Sequence, residues 1–391
     1  MSERISLWSL FATFLKIGST AFGGFMALIA VVQNEVVERK RWLQPEDMLD
    51  GISLATILPG PVAVNVVAYV GYRLRGALGA LVSVVGVTLT AFVLMLGLSV
   101  AYFEWGSFPA VGRVFQGFLP AVAAIIVLAA WNMGRKAVRG TRELALAALA
   151  AALLFGVGGF WVTLVIIAGS GAAGIFLFRR RQPTPAAAAP GPRCTTRASL
   201  LSVTPLLPLA LAAPLFHLDL AIVAKLLVTF GGMSMLLFGG GYVFIPLIQE
   251  VVVGTHHWLS VKEFLDGIAM SQIMPGPIVL SATFVGYKVA GFAGALAATI
   301  GIFGPPALTM LAASYFLEHI KRSALIKAAL AGIRPAVVGM IATAAFTVGL
   351  TAPQHWVSLL IFVSALIALA RLRVPVVWVI PAAGLTGLLL F

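Results

Sequence analysis

The stretch LDGISLATILPGP, residues 49–61, and the stretch LDGIAMSQIMPGP, residues 265–277, agree at eight of thirteen positions with an offset of 216. A match of that length within one chain marks a duplication, and a duplication constrains the whole architecture. The same offset carries Phe22-Gly23-Gly24 onto Phe238-Gly239-Gly240, Gln33 onto Gln249, and Trp42-Leu43 onto Trp258-Leu259. One deletion later the offset is 215, pairing Gly71-Tyr72 with Gly286-Tyr287 and Pro120-Ala121-Val122 with Pro335-Ala336-Val337. The chain therefore divides into a first repeat (1–181), a linker plus an unpaired apolar span (182–216), and a second repeat (217–391). Residues 182–199, rich in Pro and Ala, have linker composition.

Composition decides what kind of solvent the repeats fold in. Of 391 residues, 61% are hydrophobic and only 10% charged, and the mean hydropathy is +1.05; soluble domains are roughly a quarter charged. A bilayer core takes about 20 apolar residues per helix, and such runs recur along nearly the whole chain. The expected fold is an all-α polytopic membrane protein with the lipid bilayer as partner. No cleavable signal is read at the N-terminus, and the lone Cys194 excludes disulfides within the chain and multi-thiolate metal sites. The net charge of +13 is spread between apolar runs, which fits cytoplasmic loops and not a nucleic-acid surface.

Loop charge then orients the halves, because cytoplasmic loops collect Lys and Arg. Arg135, Lys136, Arg139 and Arg142 correspond to the base-free residues 349–356, and Arg39-Lys40-Arg41 to Thr255-His256-His257. Conversely, the nearly base-free turn at residues 156–159 corresponds to Arg371 and Arg373. The expectation is two inverted-topology repeats, N-terminus cytoplasmic and C-terminus outside, in a bacterial inner membrane, with residues 200–216 supplying the flip.

If Arg39–Arg41 and Arg73–Arg75 share a side, residues 44–73 must enter and leave on that side as a re-entrant helical hairpin. Pro45 suits a first helical turn, Ser260 and Glu263 form a capping-box pattern, and Pro59 and Pro275 stop each arm. Applied to residues 7–38, the same reasoning makes 18–24 a second tip, repeated at 234–241. Nine full spans and four hairpins result. Broken helices paired across two halves are the strongest sequence pointer to a transporter site. Helix N-termini at glycine-rich tips suit an oxyanion. The expected substrate-binding set is Lys16, Phe22, Gly23, Gly24, Pro59, Gly60, Pro61, Asn65, Gly239, Gly240, Gly241, Gln272, Pro275, Gly276 and Pro277. The competing reading is that these Gly and Pro residues only permit tight helix crossing and kinks.

The paired FGG and DGI-(x)6-PGP motifs, at residues 22–24, 50–61, 238–240 and 266–277, resemble the two-domain chromate ion transporter family. The resemblance covers almost all of both halves and implies chromate efflux and chromate resistance, chromate being a tetrahedral dianion like sulfate. A chromate or sulfate-like anion is then the expected partner, no cofactor is implied, and a homodimer is an open option.

Asp50 and Asp266, about two turns inside their arms, are candidates for proton coupling or for holding the hairpins by a salt bridge or hydrogen bond. Lys16 is the candidate fixed positive charge, with snorkelling to a surface as the alternative. Ser53, Thr56, Ser271, Gln272 and Ser281 can donate near the tips, or bond to helix carbonyls. His256-His257 lacks a third ligand nearby, so no metal site is expected. An intramembrane enzyme would need a nucleophile–base pair or metal motif; no HExxH or GxSxG is present. A passive anion channel, since helix N-termini serve pores as well, or a transporter of another inorganic anion is the remaining alternative.

Overall fold

A computed structural model describes residues 5–21, 24–105, 109–157, 160–178, 219–237, 244–315, 323–351, 355–372 and 374–390. Among the described residues each half contributes seven α-helices. The first has α1 (Leu7–Thr20), α2 (Gly24–Gln33), α3 (Pro45–Ile57), α4 (Val62–Trp105), α5 (Pro109–Ala137), α6 (Thr141–Gly156) and α7 (Phe160–Phe178). The second has α8 (Leu220–Ser234), α9 (Phe244–Gln249), α10 (Val261–Ile273), α11 (Ser281–Tyr315), α12 (Ala324–Thr351), α13 (Trp356–Ala370) and α14 (Val376–Leu390). Five stretches, within α4, α5, α7, α11 and α12, are long and apolar enough to cross a membrane. The protein is an all-α polytopic membrane protein.

Backbone irregularities recur at the repeat offset. The π-helical turns Asn34–Arg39 and Glu250–Thr255 extend α2 and α9. Each is followed by a bond from a tryptophan N–H, Trp42 to the Val36 carbonyl and Trp258 to the Val252 carbonyl, both at 2.8 Å. Arg41 and His257 both take positive φ. Helices α4 and α11 each break once, at Arg75-Gly76 and Ala290-Gly291. Local sequence accounts for the starts of the short helices α3 and α10. Pro45 sits in the first turn of α3. Ser260 and Glu263 close the expected capping box on α10, a reciprocal pairing of two otherwise orphaned N–H groups.

Packing across the halves is reciprocal. Helix α1 packs on α4 and α8 on α11; α7 and α6 pack on α12, while α14 and α13 pack on α5; α4 meets α11 and α5 meets α12. Small residues allow this, as is usual where no hydrophobic drive separates helix from lipid. A β-carbon at Gly117 would lie 2.2 Å from the Ala383 carbonyl oxygen, and one at Gly332 2.1 Å from that of Ser170.

The two short helices α3 and α10 are anchored near opposite ends of the part of α4 that follows its break. Asp47 of α3 pairs with Arg73, just before the break, whereas Asp266 of α10 accepts a hydrogen bond from Tyr102, near the C-terminus. At 1.5 Å per residue the stretch from the break to Tyr102 is roughly 40 Å long. The counterpart of the Asp47–Arg73 pair is Glu263–Lys288, at 3.0 Å.

Candidate functional site

The two Pro-Gly-Pro turns both put their glycine in the left-handed region. Gly60 has φ +104° and Gly276 +123°, a region in which a β-carbon is strained. Each tip is held by the opposite half. The Gly60 N–H donates to the Leu237 carbonyl at 2.7 Å, and the Gly276 N–H donates to the Ala21 carbonyl at 3.3 Å; Leu237 and Ala21 follow α8 and α1 at equivalent positions. A β-carbon on Gly60 would meet Pro306 of α11 at 2.3 Å, and one on Gly276 would meet Ala91 of α4 at 3.0 Å. Ala91 and Pro306 are themselves repeat equivalents, near the middle of the long arms that follow the breaks. Each tip therefore reaches about half-way along the other half's long arm.

These bonds change the chemistry expected at the two glycines. Sequence reasoning aims their N–H groups at an anion, but both are engaged with protein carbonyls, so any anion must meet other donors. The N–H groups of Val62, Ala63 and Val64 are the remaining backbone donors at the first tip, because the Asn65 N–H makes the first helical bond, to Pro61 at 3.0 Å. Asn65 is fully buried. Its Nδ2 clamps the tip by donating to the Pro59 carbonyl at 2.9 Å, while its Oδ1 has no partner. Counted from the first proline of each motif, the position of Asn65 is that of Ser281, whose buried Oγ is also unpartnered. Gln272, before the second tip, leaves its buried Nε2 unpartnered as well. Gln272 Nε2 and Ser281 Oγ thus flank Pro275, Gly276 and Pro277 as two buried donors without a partner among the described residues. Unsatisfied buried donors cost free energy unless a ligand uses them.

The other expected residues are less concentrated. Ser53, Thr56 and Ser271 donate to carbonyls of their own helices, those of Leu49, Ser53 and Ile268. Lys16 lies on the exposed face of α1, whereas Leu10, Thr13, Phe14, Ile17 and Gly18 form the buried one, so the structure does not bring Lys16 to the buried tips. Lys225 is also exposed and sits over the Trp258 ring, 5.7 Å from its centroid. Beside it His256 stacks on Trp258; burial, and then the Lys225 charge, lower its pKa. Gly24 begins α2. Phe22, Gly23, Gly239, Gly240 and Gly241 lie outside the described residues. Asp50 is half-buried, and Asp266 is fully buried.

Two residues escaped sequence reasoning. Tyr102, which bonds Asp266 at 2.7 Å, stands with Phe103, Phe115 and Phe284 in an aromatic cluster with ring centroids 4.9–5.3 Å apart; no motif announces a partner 164 positions away. Arg334 is a permanent cation eleven residues into the apolar helix α12. Its charge was legible, but its repeat counterpart Leu119 is apolar, so a search for paired motifs passes over it.

The chromate transporter family model matches the chain twice, over residues 8–175 and 224–388. The chain belongs to the chromate transporter family. It is 34% identical to a chromate transport protein of Pseudomonas aeruginosa, covering 98% of this chain and 92% of that protein. An uncharacterised transporter of Methanocaldococcus jannaschii is 32% identical, covering 94% of this chain and 90% of the relative. A chromate transport protein of Cupriavidus metallidurans is 31% identical over 84% of this chain and 79% of the relative. No solved structure matches. Family membership makes this a transporter, and the long apolar helices make it a multi-pass membrane protein.

Proposed function

We propose that the protein is a secondary transporter that exports chromate across the inner membrane, with sulfate as a competing analogue, and that it thereby confers chromate resistance. The observation that carries the reading is the similarity, over nearly the full length of both chains, to the chromate transport protein of Pseudomonas aeruginosa. The second tip adds a site of fitting chemistry. Gln272 Nε2 and Ser281 Oγ are buried donors without partners, and a tetrahedral dianion offers four acceptor oxygens. Export of a dianion from an inside-negative cell is downhill by roughly 2.3 kcal/mol per charge per 100 mV, so no coupled ion is required for direction.

The same reading treats the halves as inverted repeats and the arms α3 and α10 as re-entrant hairpins whose tips meet near mid-membrane. Three observations support it: the anchors of α3 and α10 near opposite ends of the part of α4 after its break, the reciprocal tip bonds, and the contacts of Gly60 and Gly276 with the middles of those long arms of α11 and α4. Non-helical backbone is tolerated at that depth only where protein or a cavity surrounds it.

Inverted membrane vesicles under an imposed potential test the function. They are expected to take up chromate, excess sulfate is expected to compete, and preloaded chromate is expected to drive counterflow. Vesicles that take up neither anion overturn the substrate reading; uptake without saturation or counterflow replaces the carrier by a channel.

A further inference from the structure

The two short arms hold equivalent sequences in different surroundings. In α10, residues 264–271 are all buried, whereas α3 presents Leu49 and Ser53 at its surface. Leu49 is 47% exposed and its counterpart Leu265 2%; Ser53 is exposed and its counterpart Ala269 is 0% exposed. Helices α5 and α14 cover α10, and the Tyr102, Phe103 and Phe284 rings close over its root. A carboxyl occupies the same position in both arms, Asp50 in the open one and Asp266 in the closed one.

Asp266 is unusual for an acidic residue in being wholly enclosed. One oxygen accepts the Tyr102 hydroxyl, while Oδ1 has no partner among the described residues. Among the described residues no Lys or Arg reaches ion-pair distance of it. On its own helix the charged neighbours are Lys262 and Glu263, and Glu263 is already paired with Lys288 of α11. Of the elements packed on α10, α4 carries Tyr102 and Glu104 at that end, α11 carries Tyr287 and Lys288, α5 carries Arg113 and the preceding π turn carries Glu250, while α9 and α14 contain no titratable side chain. A carboxylate with one bare oxygen is strongly disfavoured in such a place, whereas the neutral acid is tolerated.

We propose that Asp266 is a proton-binding site of the transport cycle: it holds a proton while its hairpin is buried and releases it when that hairpin becomes exposed as the first hairpin is here. The Asp266 O–H bond breaks, the proton passes to entering water, and the carboxylate left behind keeps the Tyr102 hydrogen bond, which is stronger to the charged form. Exchange of the two hairpins' surroundings would leave the anion site facing the opposite side, so proton release and exposure become one event. The proposal rests on the transporter reading.

The test uses the full-length protein in detergent with Cys194→Ser and either Ser53→Cys or Ala269→Cys, labelled by a charged maleimide. The ratio of the two rates removes the titration common to both thiols, and the Asp266→Asn background removes what differs between an exposed and a buried thiol. At about pH 5.5 Ser53→Cys is expected to react at least about tenfold faster, and by about pH 8.5 the ratio is expected to fall several-fold as the carboxylate forms and α10 opens. Adding Asp266→Asn should keep the ratio high at every pH. A ratio that does not change with pH overturns the proposal, as does an unreactive Ser53→Cys, which would place α3's exposed face against lipid. Should Asp266→Asn fail to fold, Tyr102→Phe decides: loss of the donor is expected to raise the midpoint by about one pH unit, and an unmoved midpoint is fatal. Chromate uptake by the same preparations separates the two readings. Uptake with a flat ratio sinks only the proton site; pH-driven exposure without uptake of chromate or sulfate sinks only the substrate.

Discussion

Gly60 and Gly276 show how a motif residue can be identified correctly for an incomplete reason. Both need glycine because φ is positive and because a helix of the other half passes at contact distance. Gly60→Val is therefore expected to displace the tip against Pro306 and abolish transport, with Gly276→Val somewhat milder because the Ala91 methyl is further away. Uptake assays on variants with matched membrane expression check this; a fully active Gly60→Val removes the tip from the mechanism. Asn65→Leu strips the Pro59 carbonyl of its donor, a loss of about 1–3 kcal/mol for a buried acceptor left unpaired, read as a lower unfolding midpoint in detergent. Lys16 faces outward, so Lys16→Gln is expected to leave the apparent affinity for chromate within about twofold, well below the roughly 4 kcal/mol that a lysine 4 Å from a charge would supply at an effective dielectric of 20. A tenfold loss would bring Lys16 back into the site.

At the scale of elements, the crossings of α5 with α14 and α7 with α12 depend on backbone approaching backbone. Gly332→Leu would drive its side chain into the Ser170 carbonyl, and Gly117→Leu into that of Ala383. Overpacking of this kind costs about 1–3 kcal/mol where neighbours can yield and more where they are backbone. Thermal unfolding in detergent should show both variants destabilised. The same change at Gly97, where a β-carbon meets nothing within 4 Å, should be silent. Equal destabilisation at all three positions would mean that crossing distance does not set the cost, since leucine is a better helix former than glycine at each of them. The capping box of α10 and the Pro45 start of α3 were legible in the sequence because both act within a few residues. The closure of Tyr102 on Asp266 was not, since α4 and α10 meet only after the halves dock.

For the molecule as a whole, the prediction is the sidedness that the proposed inversion of the halves requires. A single cysteine at His257, in a Cys194→Ser background, is expected to react with an impermeant reagent from outside intact cells, and one at Arg139 only after the membrane is opened. Labelling of both from the same side would leave the opposite anchors on α4 without a membrane meaning. The sequence by itself determined the helical class, the membrane setting, the duplication and the two Pro-Gly-Pro turns, because hydropathy, loop charge and proline chemistry are properties of short stretches. Only the tertiary structure decided that the tip glycines' N–H groups bind carbonyls of the opposite half, that Lys16 faces outward, and that Asp266 is sealed while Asp50 is half-open. Those outcomes depend on which surfaces meet when two nearly equivalent halves interlock, and equivalent sequences cannot reveal an asymmetry that arises from packing.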